Sequence, residues 1–259
     1  MAELEFREVS VKVREGMLLD SVTLQIARGD FVALIGPNGA GKTTLLKVAL
    51  GLRSTTSGSV QLRAVPLTAL GARQRAEEIA WLPQHIRADE PLSALDTVAA
   101  ARFRFRESHA QSQGAAQRAL ARVGASDYAS RRVTELSGGE RQRVAFACLI
   151  AQEANTLLFD EPANHLDPAQ QLEVYRLLAE LWREGRTILC INHDVNLLAH
   201  LTDPARVRVV GLKDGRLAFE SVFDDNALPA HMSALFGVEL HAFEGAGTRF
   251  IAAKPRSAR

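Results

Sequence analysis

Cysteine is scarce: only Cys148 and Cys190 occur in 259 residues. Each stands inside an apolar run, so both read as small buried hydrophobes, which excludes a disulfide framework or a cysteine-bound metal. That usage fits a reducing cytosol. Net charge is nearly absent as well, with 31 Lys and Arg against 30 Asp and Glu, and no global field is left to attract nucleic acid or lipid. No apolar run approaches the ~20 residues that a membrane helix needs. The acidic start Met1-Ala2-Glu3-Leu4-Glu5 has no signal-peptide character. The expectation is a chain soluble by itself, with no nucleic-acid partner and with membrane links only through other subunits. Repeats, low-complexity tracts and long coiled-coil insertions are missing too. His85, His165, His200, His231 and His241 show no metal-ligand spacing and read as surface or loop residues.

What is present is enough apolar material, 47% of residues, for one large α/β domain with a smaller insertion. The run Phe31-Val32-Ala33-Leu34-Ile35 suits a buried strand, and Leu45-Leu46-Lys47-Val48-Ala49-Leu50 reads as helix. Between them, Gly36-Pro37-Asn38-Gly39-Ala40-Gly41-Lys42-Thr43-Thr44 matches the phosphate-binding P-loop pattern at every fixed position. In that context the backbone N–H groups of the turn are expected to wrap the β- and γ-phosphates of a nucleotide. Lys42 sets its ammonium between them, the Thr43 hydroxyl ligates Mg²⁺, and Thr44 touches the α-phosphate.

A second apolar strand, Thr156-Leu157-Leu158-Phe159, ends in Asp160-Glu161. Carboxyl ends of parallel strands are where α/β sheets place ligands. Asp160 is suited to hold Mg²⁺ through water, and Glu161 to accept a proton from the attacking water or to orient it. Pro162 then breaks the element, and Leu166-Asp167-Pro168 forms a tight turn.

Leu136-Ser137-Gly138-Gly139-Glu140 is a further phosphate site that the P-loop makes redundant. Two consecutive glycines let backbone N–H groups approach an anion, and a helix opens behind them with its positive end forward.

With these motifs the chain resembles the ATP-binding cassette ATPases over nearly all its length. The resemblance rests on six motifs in the family's order: Gly36 to Thr44, Gln84 in Trp81-Leu82-Pro83-Gln84, Leu136 to Glu140, Asp160-Glu161, Asp167 and His193. It implies an α/β P-loop NTPase core of that type, with an N-terminal antiparallel β subdomain and a helical insertion subdomain. The implied division assigns 1–84 and 156–220 to the β subdomain and core, 85–155 to the helical subdomain carrying the signature, and 221–259 to a C-terminal extension. The resemblance further implies that Ser137 to Gly139 of one subunit close over the ATP of another, so the working unit is a homodimer. Gln84 is similar to the glutamine that meets Mg²⁺ or the attacking water and also the membrane subunit. His193, after the strand-like Thr187-Ile188-Leu189-Cys190-Ile191, is placed to donate an N–H to the γ-phosphate. Catalysis then falls to Glu161, His193, Lys42 and Gln84, and Mg²⁺ ligation to Thr43, Gln84 and Asp160.

Two positions depart from the pattern. Glu140 stands where Gln is commonest, with little loss expected. Val9 to Gly16 lacks the aromatic that stacks on adenine, so Arg14 stacks through its guanidinium or Val13 supplies an apolar contact.

Between Gln84 and Leu136 the pattern turns helical, most clearly over 97–103 and 115–123. Arg102, Arg104 and Arg106 interleave with Phe103 and Phe105, which suits a short amphipathic helix that docks on another protein or simply packs. Val207 to Glu220 reads as a hairpin turning at Asp214-Gly215.

Within the family the resemblance is nearest to importers of iron-siderophore, haem or cobalamin. It is carried by 96–103, by Gln171-Leu172-Glu173-Val174, and by Leu235-Phe236-Gly237-Val238-Glu239-Leu240. The implied partners are integral membrane permease subunits and, through them, a periplasmic or extracellular solute-binding protein. The implied place is peripheral, at the cytoplasmic face of the cell membrane. The alternatives are a soluble assembly ATPase of the same type, or a transporter ATPase for another solute.

Overall fold

Phe31–Ile35, Thr156–Asp160 and Thr187–Ile191 are buried at every position, as befits strands covered on both faces. A computed structural model describes residues 2–84, 91–245 and 247–253 of the chain. Its elements run β1 (Ala2–Val13), β2 (Gly16–Ala27), β3 (Phe31–Ile35), α1 (Lys42–Ala49), β4 (Ser57–Leu62), β5 (Val65–Pro66), α2 (Ala72–Glu78) and β6 (Ile79–Leu82). They continue with α3 (Ala94–Ala100), α4 (His109–Arg122), α5 (Gly138–Ala151), β7 (Thr156–Asp160), α6 (Pro168–Arg183), β8 (Thr187–Ile191) and β9 (Arg208–Lys213). The last are β10 (Arg216–Val222), α7 (Leu228–Phe236), β11 (Leu240–Gly245) and β12 (Thr248–Ala253).

The central sheet has six strands in the order β10-β9-β3-β8-β7-β6. All its neighbours are parallel except β10, which returns antiparallel at the edge. Successive side chains of a strand point to opposite faces, so Phe31, Ala33 and Ile35 enter one core and Val32 and Leu34 another. The first core gathers Phe146 and Leu149 of α5, Tyr175, Leu178 and Trp182 of α6, and Leu228, Met232 and Leu235 of α7. The second joins α1 through Leu45, Leu46 and Val48 to Leu4, Phe6 and Leu24 of a four-stranded sheet ordered β2-β1-β4-β5. A third, smaller core holds α3, α4 and α5 together through Val98, Ala116, Leu120, Val144 and Ala147.

Register in the parallel sheet places the site. Leu34 pairs with Ile191, Ile191 with Asp160, and Phe159 with Leu82. The P-loop, His193, Glu161 and Gln84 therefore leave one sheet at a common carboxyl edge.

Two expectations need correction. The helix expected over 97–103 begins at Ala94 and stops at Ala100, and residues 101–105 are turns. Arg102 is the reason: its buried guanidinium reaches inward to Glu107, Glu153 and the Ala151 carbonyl, and this reverses the chain. The guanidinium carbons of Arg102 and Arg104 lie 3.8 and 4.0 Å from the centre of the Phe105 ring. Packing thus absorbs Arg102, Arg104 and Phe105 of this arginine-phenylalanine run, and Phe103 and Arg106 are left exposed. His231, expected on the surface or in a loop, is half-buried within α7, its ring 5.1 Å from that of Phe219. The expected hairpin forms as β9 and β10. Asp214 and Gly215 both take positive φ, as the favoured two-residue turn requires.

Candidate nucleotide site

The P-loop owes its shape to glycine at two points. At Gly36, φ is 155° and a Cβ would stand 2.1 Å from the Leu212 carbonyl oxygen. At Gly41, φ is 102° and a Cβ would meet the Leu18 carbonyl at 2.5 Å. No other residue fits either position. Gly41 caps α1, and Leu45 N–H closes the first helical bond onto its carbonyl at 2.9 Å. The loop thus delivers Lys42, Thr43 and Thr44 as the first turn of a helix, whose free N–H groups and positive end favour phosphate.

Lys42 is buried, and its ammonium donates to the carbonyls of Gly36 at 2.7 Å and Pro37 at 3.0 Å. Burial pulls its pKa below that of an ordinary lysine, partly opposed by the carboxylates of Glu161 and Asp160. Thr43 Oγ1 donates to Asp160 Oδ1 at 3.3 Å. Asp160 is almost wholly buried, and burial raises its carboxyl pKa while the Thr43 bond opposes the rise. A hydroxyl and a desolvated carboxylate side by side are hard oxygen donors of the kind Mg²⁺ selects.

Glu161 is the meeting point. It follows β7 in a left-handed conformation, φ 55°, which is costly for a residue with a Cβ. Its Oε2 accepts from Gln84 Nε2 at 2.6 Å and from Asn164 Nδ2 at 2.9 Å, while its Oε1 lies 2.5 Å from His193 Nε2. Gln84 is therefore brought to Glu161 and not to Thr43 or Asp160. Such a carboxylate at a strand end, beside a cation and an imidazole, is equipped for acid–base chemistry at a phosphate.

Among the described residues, no hydrogen bond ties the remaining site residues to this cluster. Ser137 caps α5: its Oγ accepts from Glu140 N–H at 3.3 Å, while Glu140 Oε2 accepts from Ser137 N–H at 2.8 Å. This reciprocal capping box gives Glu140 a local role that the motif comparison did not assign. The Ser137 bonds, the backbone one first, hold the Glu140 carboxyl below the usual carboxylate range. Leu136 is buried behind the segment, Gly138 opens the helix, and a Cβ on Gly139 would come within 3.0 Å of Gln170 Nε2. Asp167 caps α6, accepting from Gln170 N–H at 2.9 Å. Val13 ends β1 half-buried, and Arg14 is exposed in the turn to β2. His85 lies outside the described residues.

Asn164 is a participant that sequence reasoning missed. It stands three residues past Glu161, where the Asn164 N–H to Glu161 carbonyl bond of 3.2 Å closes the turn. An Asn at that spacing after a Pro is a turn signal that could have flagged it.

A family described as ABC transporter matches residues 19–164. The hemin import ATP-binding protein of Rhodopseudomonas palustris is 33% identical over 96% of this chain and 96% of its own. The petrobactin import ATP-binding protein of Bacillus anthracis is 34% identical over 83% and 79%. A bacterial ABC transporter cassette solved as a dimer superposes with a TM-score of 0.77 at 28% identity, covering 86% of this chain and 99% of that one. The same cassette is also known as a dimer in a post-hydrolysis state bound to ADP and Pi. With the P-loop and the Asp160-Glu161 strand end in one sheet edge, the chain belongs to the ABC transporter family as an ATP-binding subunit that hydrolyses ATP.

Proposed function

We propose that this chain energises the import of a metal chelate, of the iron-siderophore, haem or cobalamin kind, as the ATPase subunit of a membrane transporter. The observation that carries this reading is the near full-length match to a hemin import ATP-binding protein, with a petrobactin import protein beside it. Two copies work with integral permease subunits and, through these, with a solute-binding protein outside. The chain sits peripherally at the cytoplasmic face. No helix among the described residues is long and apolar enough to cross a membrane.

In this reading Gly36 to Thr44 wrap the phosphates of ATP, with Lys42 between the β- and γ-groups, and Val13 or Arg14 meets adenine. Thr43 and Asp160 would hold Mg²⁺, with Gln84 reaching it only by leaving Glu161, and the ion would neutralise phosphate charge. Glu161 takes a proton from the attacking water as its oxygen bonds to the γ-phosphorus and the bond to ADP breaks. His193 holds the γ-phosphate through an N–H. Ser137 and Gly139 of the second copy close over the same nucleotide, and Asp167 lies beside that closure. The helical segment 85–155 carries the movement to the permease, and 221–259 forms an extension to the cassette.

The test is purification from native membranes followed by reconstitution. Integral subunits should co-purify, and ATPase activity should rise with a loaded binding protein carrying one of these chelates. Recovery free of any integral subunit would favour the assembly ATPase, and stimulation only by an unrelated solute would overturn the substrate class.

A further inference from the structure

His193 is 46% exposed, and the contact that orients its ring is Glu161 Oε1 at 2.5 Å. Packing alone does not orient it. A cavity of about 70 Å³ lies behind its loop, bounded by Glu161, Asn164, Gln171, Tyr175, Asn192 and His193. What is fixed is the residue before it. Asn192 is buried, and its N–H donates to the Leu34 carbonyl at 3.1 Å, which pins the end of β8 to β3 just ahead of the P-loop. Its side chain meets the hydroxyl of Tyr175 at 2.7 Å. With the amide turned so that its oxygen accepts from Tyr175, its nitrogen also donates to the Cys190 carbonyl at 3.1 Å.

Tyr175 is nearly inaccessible, and its hydroxyl is a polar group that folding keeps inside an apolar core. Burying a hydroxyl costs free energy unless it is hydrogen-bonded. Phenylalanine would fill the same space at no such cost, so the hydroxyl calls for a purpose beyond packing. Tyr175 also belongs to α6, whose first turn is capped by Asp167. One helix therefore has Asp167 at its start and the Asn192 contact two turns later.

We propose that Tyr175 and Asn192 are positioning residues for His193, and that their buried hydrogen bond is the contact through which the Asp167 end of α6 sets where the His193 imidazole stands. The link rests on the reading of His193 as a phosphate-holding group. A displacement of Asp167 moves α6 as a rod and shifts the Tyr175 hydroxyl against Asn192. The His193 loop, open behind, follows.

The experiment compares full-length wild type, Tyr175→Phe, His193→Ala and the double variant by steady-state ATP hydrolysis, equilibrium ATP titration and thermal melting. We expect Tyr175→Phe to lower kcat by about fivefold to tenfold with ATP affinity unchanged, and to lower the melting point by a few degrees because the buried Asn192 amide loses a partner. The double variant should be no slower than His193→Ala, because residues acting as one unit are not additive. Asn192→Ala should mimic Tyr175→Phe in kcat. A Tyr175→Phe kcat within about twofold of wild type overturns the link. So does a double variant slowed by the full product of the single effects. Wild-type turnover in His193→Ala would instead overturn the role of His193 itself, and the link with it.

Discussion

At the residue scale the site is dominated by groups held at a cost. Lys42 and Asp160 are charged groups buried beside each other, and burial shifts both pKa values toward the neutral forms. Glu161 sits in a left-handed conformation beside them. A phosphate-bearing ligand would add anionic partners for the buried Lys42 ammonium. Glu161→Gln keeps the shape of the acceptor and removes the base. The expected outcome is ATP affinity near wild type with turnover lower by about 10² or more, read by equilibrium titration beside a steady-state assay. Near-normal turnover would remove Glu161 from the chemistry. The identity of these residues was legible in the sequence, because P-loop and Asp-Glu chemistry depends on residues adjacent in the chain. The bonds that Glu161 receives were not. Gln84 comes from 77 residues away and His193 from 32, and Asn164 belongs to no motif.

At the element scale, a helix start and a turn were legible where one local interaction decides them. A helix was read behind the two glycines, where Ser137 supplies the cap, whereas the caps formed by Ser108 and Asp167 were not read from the sequence. The Asp214-Gly215 turn follows from two residues that tolerate positive φ. The end of α3 was not legible, because Arg102 is held by a distant carboxylate and a distant carbonyl, which no local propensity encodes. That arginine also accounts for a pH dependence. The Arg102 guanidinium, as hydrogen-bond donor, holds the Glu107 carboxyl down to about 2 from the ordinary 4.5. A depressed carboxyl stabilises the fold above its ordinary value, and the contribution is lost as pH falls toward the lowered one. Glu107→Gln should therefore melt below wild type at neutral pH, with the gap closing as pH drops through that window. A gap that stays constant under acid would show the pair to be irrelevant to stability.

At the scale of the whole molecule, the proposed function gives the cassette two surfaces for one nucleotide, the P-loop edge and the Ser137 segment, and no hydrogen bond joins them among the described residues. In that proposal a homodimer completes both. With ATP, the Glu161→Gln protein should therefore elute as a dimer in light-scattering chromatography. Adding Ser137→Asp should return it to monomer: aspartate still caps α5 but sets a negative charge against the partner's phosphate. A dimer that persists in the double variant would exclude this segment from the interface. By itself the sequence determined the chemical groups, the P-loop turn and the order of the motifs, since these follow from bonded neighbours and short-range backbone preferences. Only the tertiary structure decided that Gln84, Asn164 and His193 share one carboxylate, that Arg102 ends a helix, and that Tyr175 reaches Asn192. Those meetings depend on the strand order β3-β8-β7-β6 and its register, which is set by burying both faces of one sheet at once and leaves no trace in any single stretch of chain.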